Sequence, residues 1–118
     1  VTVMEGLNAR CLKYEMIGEL LDIATIDVSF ISLKKIIPTV CNMIKTGGFI
    51  LTLVKPQFEV GRFEVGKGGI VRNPERIRRV IEDIKEFGSR FTLRPKGEIV
   101  APKEREKKNT EYFILWER

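Results

Sequence analysis

Three charged residues stand where short apolar runs meet polar chain: Asp27, Lys55 and Glu111. Asp27 closes the run over residues 21–26, Lys55 closes the run over 49–54, and Glu111 opens the run over 112–116. An amine flanked by two carboxylates suits proton management at a hydroxyl, which is a poor nucleophile until its proton is removed or strongly polarised. An amine can act as the base only where desolvation or a like charge favours its neutral form. The flanking carboxylates would orient the ammonium and the hydroxyl while opposing that change. The trio therefore asks for a second cation, and no other position in the sequence obviously provides one. The plain alternative is that charges gather at strand ends because loops are wet. For any one of the three residues the two readings stand side by side, and the plain one weakens for all three together.

For the trio to act together, the chain must bring three strand ends to one edge. Residues 1–5 read as a strand. Asn8 can cap a helix reaching about residue 20. Residues 21–26 read as a buried strand. Ser32 can cap a helix whose apolar positions Leu33, Ile36, Ile37, Val40 and Ile44 keep helical spacing. Pro38 should kink that helix or set its first turn, and Gly47-Gly48 should stop it. Residues 49–54 form a clear strand, and 57–72, with Gly61, Gly66, Gly68 and Gly69, read as a long loop. Asn73-Pro74 is a cap followed by proline at the first helical position. The stripe Ile77, Val80, Ile81, Ile84 and Phe87 should be buried, with Gly88 ending the helix. Residues 91–100 read as a strand interrupted by Pro95 and Gly97, 103–109 as a charged connection, and 112–116 as the last strand. Two strands joined without a helix imply an antiparallel closing hairpin. The alternation predicts an α/β fold, a mostly parallel sheet with an antiparallel last strand. Ligands bind outside the carboxyl ends of such strands. Asp27 and Lys55 occupy those ends, and Glu111 begins a strand running the other way, so all three are predicted on the same edge.

At 118 residues the chain fits one domain or a piece of one. Its formal charge of +5 and pI near 9.4 suit a polyanionic partner, although mild basicity is also common without one. No apolar run approaches the length of a membrane span, and residues 1–5 do not read as a signal peptide. They read as a strand already under way, which implies a larger parent protein. Histidine is absent, and Cys11 and Cys41 stand far apart without partner ligands. No metal site is expected, and two reduced thiols point to the cytoplasm. Gly66-Lys67-Gly68-Gly69 lacks the Gly-Lys-Ser/Thr ending and the strand–helix context of a phosphate-binding P-loop. A lid over a substrate cleft, with Arg62, Lys67 and Arg72 facing phosphates, is the functional reading; a mobile surface loop is the other. On the helix from Pro74 the cations Arg76, Arg78, Arg79 and Lys85 are interleaved with acids, which reads as a solvated face.

Two longer runs are more specific. Asp27-Val28-Ser29-Phe30-Ile31-Ser32-Leu33 and Leu53-Val54-Lys55-Pro56-Gln57-Phe58-Glu59-Val60-Gly61 closely resemble the hemolysin A (TlyA-type) family of FtsJ-like ribose 2′-O-methyltransferases. Gly68-Gly69-Ile70-Val71-Arg72-Asn73-Pro74 and Asn109-Thr110-Glu111-Tyr112-Phe113 look like further motifs of that family, so the resemblance spans nearly the whole chain. It implies a Rossmann-like S-adenosylmethionine-dependent fold, with residues 1–118 forming the C-terminal part of the catalytic domain. It also implies a lysine-aspartate-lysine-glutamate set in which Asp27, Lys55 and Glu111 match the last three members. The first lysine, the glycine-rich cofactor turn and an S4-like RNA-binding domain would precede residue 1. That lysine would be the second cation the trio asks for. Lys55 would then act on a 2′-hydroxyl of ribosomal RNA, with the carboxylates orienting it. Glu5, Asn8 and Asp27 are the implied cofactor contacts, and ribosomal RNA or a ribosomal subunit is the implied partner. The 118 residues alone are expected to be inactive.

The alternative to an enzyme is a non-catalytic RNA-binding or ribosome-assembly module on a methyltransferase-like fold. A base N-methyltransferase would carry an Asn/Asp-Pro-Pro-aromatic loop, and Asp27-Val28-Ser29-Phe30 lacks the prolines. No segment reads as membrane-active.

Overall fold

Strand β2 (Ile44–Val54) is the spine of the structure, a computed structural model describing residues 1–103 and 108–118. Strand β1 (Leu21–Ile26) pairs with it in parallel, and β4 (Tyr112–Glu117) pairs antiparallel on its other side. Strand β3 (Arg94–Val100) pairs antiparallel with β4, giving the order β1-β2-β4-β3. Three strands thus point one way and β4 alone opposes them, as the sequence pattern predicts. The closing hairpin does not extend the sheet outward, however. Strand β4 inserts between β2 and β3.

Alternation along β2 and β4 sends Ile50, Thr52, Val54, Ile114 and Trp116 to one face, all fully buried. Against that face pack α2 (Ile37–Cys41) and α3 (Pro74–Ser89), through Ile37, Val40, Val80, Ile81 and Ile84. Fully burying each such side chain contributes roughly 1.5–3 kcal/mol. Thr52 is the one buried polar residue among those described. Its hydroxyl accepts from Trp116 Nε1 at 3.0 Å, so the indole donor is satisfied inside the core. Helix α3 begins as predicted, the Asn73 carboxamide accepting from the amides of Glu75 and Arg76 ahead of Pro74.

Several expectations are corrected. Residues 1–5 form no strand and stay exposed. Asn8 caps only a 3-10 turn, Ala9–Cys11. The chain then extends at Leu12 and Lys13 before the single-turn helix α1 (Tyr14–Ile17), which ends at Gly18 with φ 84°. The run over 21–26 is an edge strand with Ile23 60% exposed and only Ile26 buried, rather than a buried strand. Ser32 caps a 3-10 turn, Leu33–Lys35, and Pro38 sits in the first turn of α2, which stops at Asn42. Ile44 belongs to β2 instead of the helix, and Gly47-Gly48 lie inside that strand. A Cβ on Gly48 would come within 2.8 Å of the Asp22 carbonyl, so the close approach of β1 needs glycine there.

Gly88 does not end α3. It is buried within the helix, where a Cβ would sit 2.4 Å from the Trp116 ring. The loop over 57–72 contains three 3-10 turns, Pro56–Phe58, Arg62–Glu64 and Lys67–Gly69. The charged connection expected over 103–109 lies partly outside the described residues. No helix among the described residues is long and apolar enough to cross a membrane.

Candidate active site

Strand direction decides which ends share an edge. Asp27 follows the last residue of β1, Lys55 follows the last residue of β2, and Glu111 precedes the first residue of the opposing β4. All three therefore stand at one rim of the sheet. Val54 pairs with Tyr112 across β2 and β4, so Lys55 and Glu111 occupy the next position of the same register.

Lys55 reaches back toward β1. Its Nζ lies 2.7 Å from Asp27 Oδ1 and donates to Ser29 Oγ at 3.1 Å. The Lys55 side chain is 14% exposed while that of Asp27 is 67% exposed, so the pair is anchored inside and open outward. An ammonium has three donors, and two are engaged here. Glu111 does not touch the pair. Its Oε2 accepts from Gln57 Nε2 at 3.1 Å, and its backbone carbonyl accepts from the Ala101 amide at 2.9 Å. The geometry thus joins Asp27 and Lys55 directly and brings Glu111 to the same rim through Gln57.

The sequence pattern did not single out Ser29, Gln57 or Glu59. All three lie within the two long motif runs, which was the available signal. Lys55, Gln57 and Glu59 flank and span the turn Pro56–Phe58, and each reaches a different partner. The Glu59 carboxylate accepts from Ser32 Oγ at 2.6 Å and from the Leu33 amide at 2.8 Å, tying the loop after β2 to the loop after β1. Burial pushes the Glu59 carboxyl above its ordinary value. Its bonds to Ser32 and Leu33 and the nearby charge of Lys34 pull the other way and only partly offset this. Gln57 Oε1 is buried without a hydrogen-bond partner among the described residues. Phe30 holds a positive φ of 59°, is 90% exposed, and its ring lies 4.8 Å from that of Phe58.

The three basic loop residues separate. Lys67 and Arg72 line one concavity, with Arg72 Nη1 donating to the Lys67 carbonyl at 3.0 Å. Arg62 lines a different one beside Phe30, Gln57 and Phe58. Glu5 is exposed on the extended N-terminal segment, and Asn8 uses its side-chain oxygen on the Arg10 amide. Of the three residues expected to contact a cofactor, only Asp27 stands at the rim, its side chain 67% exposed.

A sheet of three co-directional strands and one opposed strand, with charged groups gathered at the carboxyl rim, defines a Rossmann-like α/β architecture. Comparison with known proteins makes that more specific. The family model for FtsJ-like methyltransferases matches residues 1–118, and the chain belongs to that family. The 16S/23S rRNA (cytidine-2′-O)-methyltransferase TlyA of Mycobacterium tuberculosis is 37% identical over the whole chain. Hemolysin A of Brachyspira hyodysenteriae is 42% identical over 62% of it. The chain spans 44% of the first relative's length and 31% of the second's. A crystal structure from Lactococcus lactis, named after the hemolysins, superposes with a TM-score of 0.91 at 32% identity, over 98% of this chain and 56% of that one. The M1.HpyAVI–SAM complex shares the fold, with a TM-score of 0.54 at 13% identity over 89% of this chain and 48% of that one.

Proposed function

We propose that this chain carries the catalytic rim of an enzyme that methylates ribosomal RNA at a ribose 2′-hydroxyl, with S-adenosylmethionine as donor. The observation that carries the reading is the Lys55–Asp27 pair at 2.7 Å, one register position from Glu111, on a family-matched sheet. The rRNA 2′-O-methyltransferase relative supports the substrate class.

When bound, the cofactor supplies an electrophilic methyl group on a positively charged sulfur. Lys55 would meet the 2′-hydroxyl and take up its proton as the oxygen–carbon bond forms and the carbon–sulfur bond breaks. An amine can do so only in its neutral form, which a second cation nearby favours. By resemblance to the family, that cation would lie outside residues 1–118. Asp27, held with Ser29 on the amine, would fix its direction, and Glu111 would orient the ribose from the other side. Arg62, Lys67 and Arg72 would hold RNA phosphates. Glu5 and Asn8 would assist the cofactor only if the N-terminal segment closes on the rim. Residues 1–118 would be the C-terminal part of a cytoplasmic methyltransferase whose main cofactor turn lies elsewhere in the parent, so the chain alone would not turn over.

The test is Lys55→Ala in the full-length parent, measured as tritium transfer from methyl-labelled S-adenosylmethionine to ribosomal RNA. The expected loss is at least ~100-fold, the scale of a positioned acid–base group. The wild-type product should resist alkaline cleavage at the modified nucleotide, because the 2′-oxygen is blocked. Wild-type incorporation by the variant, or a product methylated on the base, would overturn the reading.

A further inference from the structure

Many of the surface cations sit against acids. Arg78 and Lys85 pair with Glu98, Arg79 with Glu64, Arg90 with Glu86, and Arg94 with Glu117. Other cations gather in one region. A concavity of about 720 Å³ between the loop over 57–72 and the start of β4 is lined by Lys67, Arg72, Lys103 and Lys108, and no carboxylate of the described residues lines it. Among the described residues, Lys67, Arg72 and Lys103 enter no ion pair. The floor is apolar, from Val71 and Ile77, with Thr110 contributing a hydroxyl.

The cup is held in shape by its own hydrogen bonds. Asn109 clamps it from the β4 side, accepting from the Val71 amide and donating to the Gly69 carbonyl, both at 2.8 Å. The Gly66 amide donates to the Ile70 carbonyl at 3.1 Å. A Cβ on Gly66 would lie 2.9 Å from that carbonyl, so the close approach of the Ile70 backbone depends on glycine there. A second depression of about 340 Å³ shares Gly68, Ile70 and Lys108 with the cup and reaches Gln57 and Glu111. The cup is therefore continuous with the catalytic rim.

We propose that this cup seats a backbone phosphate and its sugar, one or two nucleotides along the RNA strand from the ribose presented to Lys55. The inference rests on the RNA methyltransferase reading and adds a second anchoring point, with Lys103, Lys108 and Thr110 as parts of it. The volume lies in the ~300–1,000 Å³ range of small-ligand sites, enough for a nucleotide unit rather than a lone anion. Cations around an apolar floor grip the phosphate oxygens while the sugar covers Val71 and Ile77. Such contacts fix register along the strand and carry no base specificity. Arg62, across the Gln57 side, would hold a different part of the strand.

The test compares the protein with its Lys67→Ala/Lys103→Ala variant, both lysines being exposed, and with a charge-matched Lys13→Ala/Lys35→Ala control. Binding of a fluorescein-labelled rRNA hairpin is followed by anisotropy from about 50 to 200 mM KCl. Two lost phosphate contacts should flatten the slope of log affinity against log salt by roughly 1.4–1.8, while the control keeps the wild-type slope. Inorganic phosphate added to labelled protein should shift the amide resonances of Gly68, Val71 and Thr110. An unchanged slope in the cup variant, with the hairpin still bound, would overturn the cup and leave the RNA reading standing. If phosphate shifts those amides while the slope is unchanged, the cup is a free-anion site and the proposal fails. Failure of the wild-type protein to bind RNA at all would remove both.

Discussion

Replacing Glu59 by alanine and by glutamine separates two consequences of one half-buried carboxylate. In the native chain its two oxygens satisfy Ser32 Oγ and the Leu33 amide, and the Leu33 residue is 1% exposed. Alanine strands that amide, while the serine hydroxyl can rotate to another acceptor. An unsatisfied buried donor costs about 1–3 kcal/mol. Removing a charge that burial disfavours returns part of this, so the expected net loss is about 1–2 kcal/mol. Trp116, the single tryptophan and fully buried, reports unfolding in urea by its fluorescence. With an m-value of about 1–3 kcal/mol/M, the midpoint should fall by roughly 0.3–2 M. Glutamine keeps an acceptor for the Leu33 amide without the charge, so the loss should be smaller. Its comparison with wild type also has a definite sign in pH. The Glu59 carboxyl is raised in the fold, so the native state binds its proton more readily than the unfolded chain does. Wild-type stability must therefore rise, relative to Glu59→Gln, as pH falls from neutral through the folded value toward the unfolded one. All other groups cancel in that difference. An alanine variant within 0.5 kcal/mol of wild type, scatter typical of an uncoupled surface site, would refute the clamp. A gap moving against wild type on acidification would refute the burial argument.

Two further outcomes follow from the packing and from the surface charges. Gly88→Ala pushes a methyl group to within 2.4 Å of the fully buried Trp116 ring, and should destabilise by about 1–3 kcal/mol with a changed near-ultraviolet signal from that indole; an unchanged melting temperature would contradict the close approach. Glu98 is held down at about 2 by its hydrogen bonds to Arg78 and Lys85. Its contribution is fully present above the ordinary carboxylate range and lost as pH falls toward 2. The wild type should therefore exceed Glu98→Gln by about 1 kcal/mol at neutral pH, a value kept small by solvent screening, and the gap should close in acid. A gap that persists at pH near 2 would show that the pairing is not its source.

Legibility in the sequence tracked how local each feature is. The Asn73-Pro74 start and the stripe of α3 could be read because a cap and a helical face are decided within a few residues. Residues 1–5 and 21–26 misled, because apolar β-branched chain looks the same whether it becomes an inner strand, an edge strand or no strand. Gly88 was read as a stop since glycine usually acts through backbone freedom, whereas here its role is the absent Cβ beneath Trp116, 28 residues away in sequence. The site divided along the same line. Asp27, Lys55 and Glu111 were visible as charges at strand boundaries. Ser29, Gln57 and Glu59 were not singled out, because their importance lies in partners 26, 54 and 26–27 positions distant.

What the sequence by itself determined was the four segments that join the sheet, though not all their bounds, and the chemical groups at their ends, because apolar periodicity and the placement of charges are properties of neighbouring residues. It also determined the family, through motif runs long enough to be specific. Only the tertiary structure decided that β4 inserts between β2 and β3 and so sets Glu111 beside Lys55 in register. It alone decided that Lys55 turns to Asp27 and Ser29 while Glu111 is held by Gln57, and that Lys67 and Arg72 share a cup from which Arg62 is absent. The physical reason is that strand order and ion-pair choice are settled by competition among distant segments for one buried face and one rim. Both Lys55 and Glu111 could have served several partners, and the sheet fixed which of them came within reach.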